Sequence, residues 1–307
     1  MQKILDPGQI EALASRAVPR LVLPVPGRLF AARAARLREL ATHDSLGGYL
    51  GFAAAIAAAQ QAALDGLELP PLDPAACAVA FAHGMPPVPA RGLRRGPEWL
   101  ALFARIAAAL AAQPGFPPAV AATGARLAAL APAALESHAE RLLAAEDGRD
   151  VDPAAAPFVI AALQVYFSVL AAQLRPEDVA ITERGGTCPV CGSLPVASLV
   201  RVGAPYGGYR YLHCGLCATG WHRVRVECTQ CGANRGIAYQ SIEGGPAAIR
   251  AETCDGCRSY RKIFYEEHDG AVEPIADDLA SVALDLLLAE AGFHRASANP
   301  LLWQPAD

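Results

Sequence analysis

"CPVCGSLPVASLV", residues 188–200, opens with two cysteines two positions apart, then glycine, then small and β-branched residues. The CxxC pair returns three times, as Cys214 with Cys217, Cys228 with Cys231, and Cys254 with Cys257. The first and third pairs lie 40 positions apart, as do the second and fourth, and in each half 22 residues separate the inner cysteines. The segment is an internal duplication of one unit, C-x2-C-x22-C-x2-C. Each pair can aim two thiolates at one point, and a short hairpin brings the second pair opposite, which suits a tetrahedral ion. Gly192 and Gly232 follow the first pair of each unit. A turn whose N–H groups point back at sulfur often needs positive φ there, which glycine adopts freely.

The spacing makes Cys188, Cys191, Cys214 and Cys217 the expected ligands of one ion, and Cys228, Cys231, Cys254 and Cys257 those of a second, with a pairing swapped between the repeats as the alternative. Four thiolates leave no position for a substrate, so each site is expected to be structural or electron-carrying rather than hydrolytic. Zn²⁺ and a single iron fit four sulfurs equally, and the spacing leaves the choice open. Disulfides fit poorly with pairs of this form on a chain that shows no export signal. A thioredoxin-like dithiol uses one such pair at the start of a helix, not four in a glycine-rich β setting. His213 and His222 lie beside the pairs and are expected on hairpin faces, since each unit already offers four sulfurs. Cys77, alone in a Pro-rich stretch, reads as a small buried apolar residue.

The surroundings change abruptly near residue 181. Before it, apolar residues recur at helical spacing in "GRLFAARAARLRELATH" and in "SLGGYLGFAAAIAAAQQAAL", with Ser45 the expected N-cap. A Pro-rich linker is expected over 69–96, then helices over 97–113, 119–131, 133–145 and 157–174. The apolar run 154–172 is interrupted by Gln164 and Ser168 and lacks aromatic and basic anchors at its ends, so it reads as a buried core helix rather than a membrane span. Short β-type runs follow in "RYLH", "WHRVRV" and "KIFYEE". Helix returns in "IADDLASVALDLLLAEAG", with Leu279, Val282, Leu286 and Ala289 as the expected buried stripe and Gly292 as the stop. The expected fold is α plus small β. An all-α helical domain covers 1–180, two tandem four-cysteine metal-binding units cover 181–226 and 227–270, and a C-terminal helix and tail cover 271–307.

Composition narrows the function. The 307 residues carry a formal net charge of -4, so no general excess of positive charge awaits a polyanion. Lys3 and Lys262 are the two lysines; the other basic residues are arginines. Tyr206, Tyr209, Tyr211 and Trp221 interleave with arginines as a base-stacking platform would. Yet residues 181–270 hold ten basic against eight acidic side chains before any thiolate is counted, which argues against nucleic acid. Arg210, Arg223, Arg225, Arg258 and Arg261 are instead expected to offset the charge of the thiolate clusters. The carboxylates of "HDGAVEPIADD" and "DGRDVDP" read as solvated. No Walker loop, nucleophile elbow or dinucleotide fingerprint is present, and the chain is not expected to be an enzyme. Its N-terminus lacks the pattern of a signal peptide, and a cytoplasmic location is expected.

The stretches "CPVCGSLPVASLV", "YRYLHCGLCATGWHRVRVECTQC", "AETCDGC" and "ADDLASVALDLLL" resemble the formate dehydrogenase accessory protein family, FdhE. The resemblance extends to "RLFAARAARLRELA", "YLGFAAAIAAAQ" and "NPLLW", and thins over about 68–150. It implies a cytoplasmic, non-catalytic assembly factor that binds the molybdenum- or tungsten-dependent catalytic subunit of a respiratory formate dehydrogenase before its folded export. It also implies rubredoxin-like units in which all eight cysteines are ligands, with iron in preference to zinc. Two alternatives stand beside it: an electron or iron carrier to the same client, and a zinc-ribbon nucleic-acid-binding protein. For a client, a groove between the domains is the expected seat, with Trp221, Arg223 and Arg225 as anchors.

Overall fold

Seven helices lead into one mixed sheet, followed by two short helices and a final strand, in a computed structural model that describes residues 18–42, 45–144, 152–181, 186–203, 205 and 207–302. The helices are α1 (Pro26–Ala41), α2 (Gly47–Ala62), α3 (Pro74–Ala82), α4 (Glu98–Ala111), α5 (Pro118–Ala128), α6 (Pro132–Ala144) and α7 (Ala156–Ala171). Tyr206, Asp147, Asp150, Trp303 and residues 1–17, which carried several expectations, lie outside the described residues.

The apolar run 154–172 folds as α7, in which every residue but Val169 is buried. Pro157 sits in its first turn, where a missing N–H costs nothing. Among the described residues no single helix is long and apolar enough to cross a membrane. The two polar residues that interrupt the run have interior partners. Ser168 Oγ donates to Val165 O at 3.0 Å, and Gln164 takes part in a relay described below. Helices α4, α6 and α2 pack round α7, while α1 pairs with α2.

Two expectations upstream are corrected. Helix α2 begins at Gly47 with Leu46 at its N-cap position, one residue past Ser45. The Pro-rich linker contains α3, because Asp73 accepts from Ala75 N and a proline occupies the first turn, two strong start signals. Cys77 lies in that helix and is buried.

The strands are β1 (Leu21–Val22), β2 (Pro195–Val200), β3 (Arg210–Cys214), β4 (Gly220–Arg223), β5 (Ile237–Gln240), β6 (Ile249–Cys254), β7 (Ser259–Tyr265) and β8 (His294–Arg295). Their order is β1-β4-β3-β2-β7-β6-β5, with β8 alongside β7. Each cysteine unit contributes an antiparallel meander, and the two join where β2 pairs in parallel with β7, Ser198 opposite Ile263. The first strand of one unit thus meets the third strand of the other, so the repeats succeed each other along the sheet as in a head-to-tail array. At one end β1 covers β4. At the other, β5 has no further strand among the described residues, and three of its four residues are exposed.

Downstream, the single expected helix is two, α8 (Pro274–Ala280) and α9 (Val282–Glu290), broken at Ser281. Lys262 Nζ donates to Asp278 O, Ser281 O and Ser281 Oγ at 2.8 to 3.0 Å, taking up carbonyls that the break frees. The break shifts the register, so Leu284 and Leu288 are buried while Leu286, expected in the stripe, is 63% exposed. Gly292 ends the helix with φ 79°, in the left-handed region.

Candidate metal centres

Each quartet forms within one repeat. The sulfurs of Cys188, Cys191, Cys214 and Cys217 lie within 4.8 Å of one another, and so do those of Cys228, Cys231, Cys254 and Cys257. Cys188 and Cys217 are 3.6 Å apart and Cys191 and Cys214 3.4 Å; the corresponding separations in the second quartet are both 3.7 Å. A tetrahedron with metal–sulfur bonds of about 2.3 Å has edges of about 3.8 Å, whereas a disulfide spans about 2.05 Å. The sulfurs are spaced for an ion.

The backbone that aims them repeats as the sequence does. Cys188 N donates to Ser193 O and Gly192 N to Cys188 O, each at 2.8 Å; Cys228 N to Ala233 O and Gly232 N to Cys228 O match them. Gly192 and Gly232 have φ 78° and 75°. After the second pair of each unit, Ala218 and Arg258 both have φ 58°, a conformation uncommon outside glycine. Leu216 N and Cys217 N donate to Cys214 Sγ, and Gln230 N to Cys228 Sγ, all at 3.4 Å. Such N–H groups favour the thiolate. Thr219 Oγ1 lies 3.1 Å from Cys217 Sγ, and Ser259 Oγ stands in the same place 3.0 Å from Cys257 Sγ.

The electrostatics call for a cation. Burial pushes the Cys188 and Cys214 thiols well above their ordinary value, and that of Cys228 up to about 12. At Cys191 burial acts the same way, but hydrogen bonds from Cys188, Cys214 and Cys217 outweigh it and hold the group well below. Ser259 likewise overcomes burial at Cys257 and brings it to about 7. Four crowded sulfurs share little negative charge among themselves, and a divalent ion would allow all four to ionise. With four soft donors and no other ligand type, the residues fit zinc or iron.

His213 and His222 stand outside both quartets. Burial holds the His213 imidazole down at about 4, and His222 lies edge-on to Tyr209 and Tyr211.

The arginines are largely committed elsewhere. Arg210 pairs with Glu252 at 2.8 Å and donates to the carbonyls of Val224, Arg225 and Glu227, so it binds the first unit to the second and to their linker. Arg223 pairs with Glu227, and Arg258 donates to the end of α9 and stacks on Phe293. Arg261 is near the second quartet, donating to Thr229 Oγ1 at 3.0 Å. Of the expected client anchors, Trp221 is corrected, since its ring is fully buried in the main core and offers no face to a partner. Arg223 is also buried, at 8% exposure. Arg225 is exposed, while its carbonyl accepts from Arg210 and Tyr239.

Two buried networks escaped sequence reasoning. Gln60 Nε2 donates to Gln164 Oε1 at 2.9 Å and Gln164 Nε2 to Gly215 O at 2.7 Å, running from α2 through α7 to the turn between Cys214 and Cys217. The carboxylates of "HDGAVEPIADD", expected in solvent, are largely interior. Asp277 and Asp278 are fully buried, and Glu273 nearly so. Glu273 caps α8 and accepts from Arg33 Nε at 3.0 Å, Asp277 binds Arg36 at 2.6 Å, and Asp278 lies between Lys262 and Arg295. The signal was present in Lys262, set in an apolar strand, and in Arg33 and Arg36 on one helix face. Apart from Glu39, which also pairs with Arg36, the partners of Arg33 and Arg36 lie more than 200 residues away in sequence.

Comparison with known proteins divides the chain in three, with the second unit and the C-terminal helices in one division. Family models match as FdhE, N-terminal, over 18–183, FdhE, central domain, over 187–225, and FdhE, C-terminal domain, over 226–302. A "Protein FdhE homolog" of Pseudomonas aeruginosa is 44% identical over 308 residues, covering 97% of each chain. One of Cronobacter sakazakii is 40% identical over 305 residues, covering 98% of this chain and 97% of its own. "Protein FdhE" of Escherichia coli K12 is 39% identical over 297 residues, covering 96% and 95%. The crystal structure of the FdhE protein from Pseudomonas aeruginosa superposes with a TM-score of 0.85 at 39% identity, over 94% of this chain and 100% of that one.

Proposed function

Since the chain belongs to the FdhE family, we propose that it is a cytoplasmic, non-catalytic assembly factor that binds the catalytic subunit of a respiratory formate dehydrogenase before export. Each quartet holds one ion, iron in preference to zinc. The observation that carries this reading is the pair of quartets built into one continuous sheet, which ion pairs and a shared core fasten to the helical region. Such a framework presents a fixed surface to a partner. A cleft of about 370 Å³ opens where the two halves meet, with Pro86, Pro89, Leu143, Leu194, Leu216 and Pro300 among its walls. Its apolar lining suits an extended protein segment better than a phosphate backbone. The partner is therefore a protein, with no nucleic acid and no membrane insertion.

The test is capture of the catalytic subunit by the full-length protein from cells grown without oxygen. Leu194→Asp places a charge in the cleft and is expected to weaken capture by about tenfold or more. Arg225→Glu reports the contribution of the exposed basic end of the linker. Undiminished capture by both variants would remove this seat, and no capture by the wild type would remove the reading.

A carrier of electrons or iron is the second reading, favoured by the exposure of Cys231. It expects a visible ferric–thiolate absorption that bleaches reversibly on reduction. Stoichiometric zinc in protein purified without oxygen would defeat it.

A further inference from the structure

We propose that the two quartets differ in kind: the first holds its ion permanently, and the second exchanges its ion with thiol ligands at the Cys231 face. The inference rests on the metal reading above and adds which site turns over. In the first quartet no cysteine is more than 1% exposed, and all four belong to the main hydrophobic core. A closed site of four sulfurs loses its ion only when an incoming donor reaches it or a ligand swings away. Cys191 borders the cleft between the two halves and Cys188 a smaller recess, but each is only 1% exposed, so around the first quartet either event requires the packing over the sulfurs to open. Its two turns are also held from outside. Val88 N donates to Val190 O and Ala90 N to Cys191 O, and Gln164 holds Gly215.

None of these restraints is repeated at the second quartet among the described residues. Cys231 is exposed, Cys257 is partly so, and neither hydrophobic cluster contains any of the four sulfurs. The turn carrying Cys228 and Cys231 forms a wall of a recess of about 450 Å³, together with Gly186, Arg223 and Glu227. The recess is wide enough for a thiolate side chain or a small thiol. The neighbouring strand β5 is an exposed edge, so no layer of the described residues covers that side.

The exchange balances without any oxidant or reductant. An incoming thiolate takes the place of Cys231 Sγ, and Cys231 Sγ takes up one proton. The charge at the site is unchanged, and repetition at Cys257 and then at Cys228 and Cys254, each taking up one proton, passes the ion on. The acceptor is therefore a thiol-bearing molecule, a peptide cysteine or a small thiol.

The full-length protein, loaded with zinc, is mixed with an excess of the chromogenic chelator 4-(2-pyridylazo)resorcinol, and zinc release is followed by stopped flow. One ion of the two is expected to leave at least about tenfold faster than the other, as local opening separates from opening of the core. Glutathione should speed that phase alone. In Cys231→Ser the slow ion should remain and the fast phase should disappear or accelerate. Pulsed alkylation of the wild type, read by mass spectrometry, should label Cys231 and Cys257 during the fast phase and Cys188, Cys191, Cys214 and Cys217 only during the slow one. A single phase for both ions, or early labelling in the first quartet, overturns the inference while leaving the metal reading intact. A protein that takes up no ion overturns both.

Discussion

The two quartets share a repeat, a turn geometry and a sulfur spacing, and they differ in what lies against them. The first sits under α7 and α8, with residues 88–90 clasping one turn and Gln164 the other. The second has a satellite cluster of Ala251, Tyr260, Leu284 and Leu288 beside it and an open edge at β5. Identical ligand chemistry therefore stands in two environments, and position along a head-to-tail sheet decides which. The unit that received neighbours on both sides became core, and the terminal unit kept a face in solvent. A duplication can in this way separate a structural task from an accessible one without altering the ligands.

The largest effect tests that division. Cys214→Ser removes a ligand inside the main core, where the apparent binding energy of a thiolate-rich zinc site is on the order of 10 kcal/mol and a whole domain is stable by about 5–15 kcal/mol. Because the first quartet shares its core with helix residues such as Phe158, Leu163 and Phe167, the variant is expected to lose cooperative unfolding of the helices as well as the sheet. Cys254→Ser, its counterpart in the second unit, should keep the helices and lose order only near β5 and β6. Far-UV circular dichroism with limited proteolysis distinguishes them, and equal damage in both would break the comparison.

Next in size is the buried charge cluster that fastens the end of the chain to β7. Asp278→Asn removes one of two counter-charges, since Asp285 stays 2.6 Å from Lys262 and 3.2 Å from Arg295, and the expected cost is about 1–3 kcal/mol in urea unfolding. The group also has a pH signature. Burial acts to raise the Asp278 carboxyl, but Lys262 and Arg295 outweigh it and hold the carboxyl below its ordinary 3.8. The unfolded chain therefore takes up this proton first. The stabilisation is complete above that value and is lost as the pH falls through it towards the folded value. Asp277, raised by burial, acts in the opposite sense, so the readout is the difference between wild type and Asp278→Asn. The variant should lose less stability than wild type as the pH falls from about 5 to 3. Parallel curves would show that Asp278 is not charged in the fold.

Much of this was legible in the sequence. The 40-residue repeat named both quartets, the helical spacing located α1, α2 and α4 to α7 to within a few residues, and Gly192, Gly232 and Gly292 announced their turns. Local patterns suffice where the determining contacts are local. Trp221, Asp277 and Asp278 failed for the opposite reason, since composition marks them as surface residues or interface anchors and only packing shows them inside. The difference between the quartets was equally hidden, because two copies of one motif read alike until the sheet order shows which lies at the end.

The smaller predictions probe the supports of the inner site and the turns of both. Gln164→Leu deletes the donor to the half-buried Gly215 O while Gln60 Nε2 keeps Ala161 O, at an expected cost of about 1 kcal/mol. Among the described residues no helix amide side chain stands in the same relation to the second unit's turn at Asp255 and Gly256. The finest comparison is Gly192→Ala against Gly232→Ala. Both glycines have positive φ, so each alanine should cost about 1 kcal/mol from the backbone alone. A Cβ on Gly232 meets nothing within 4 Å, whereas one on Gly192 comes to 3.4 Å from Pro86 Cγ, an ordinary contact. The two costs should therefore agree within about 0.5 kcal/mol in paired urea titrations. A markedly larger loss at Gly192 would mean that residues 86–90 yield less than their spacing allows, and that the clasp on the inner turn is tighter than its two hydrogen bonds.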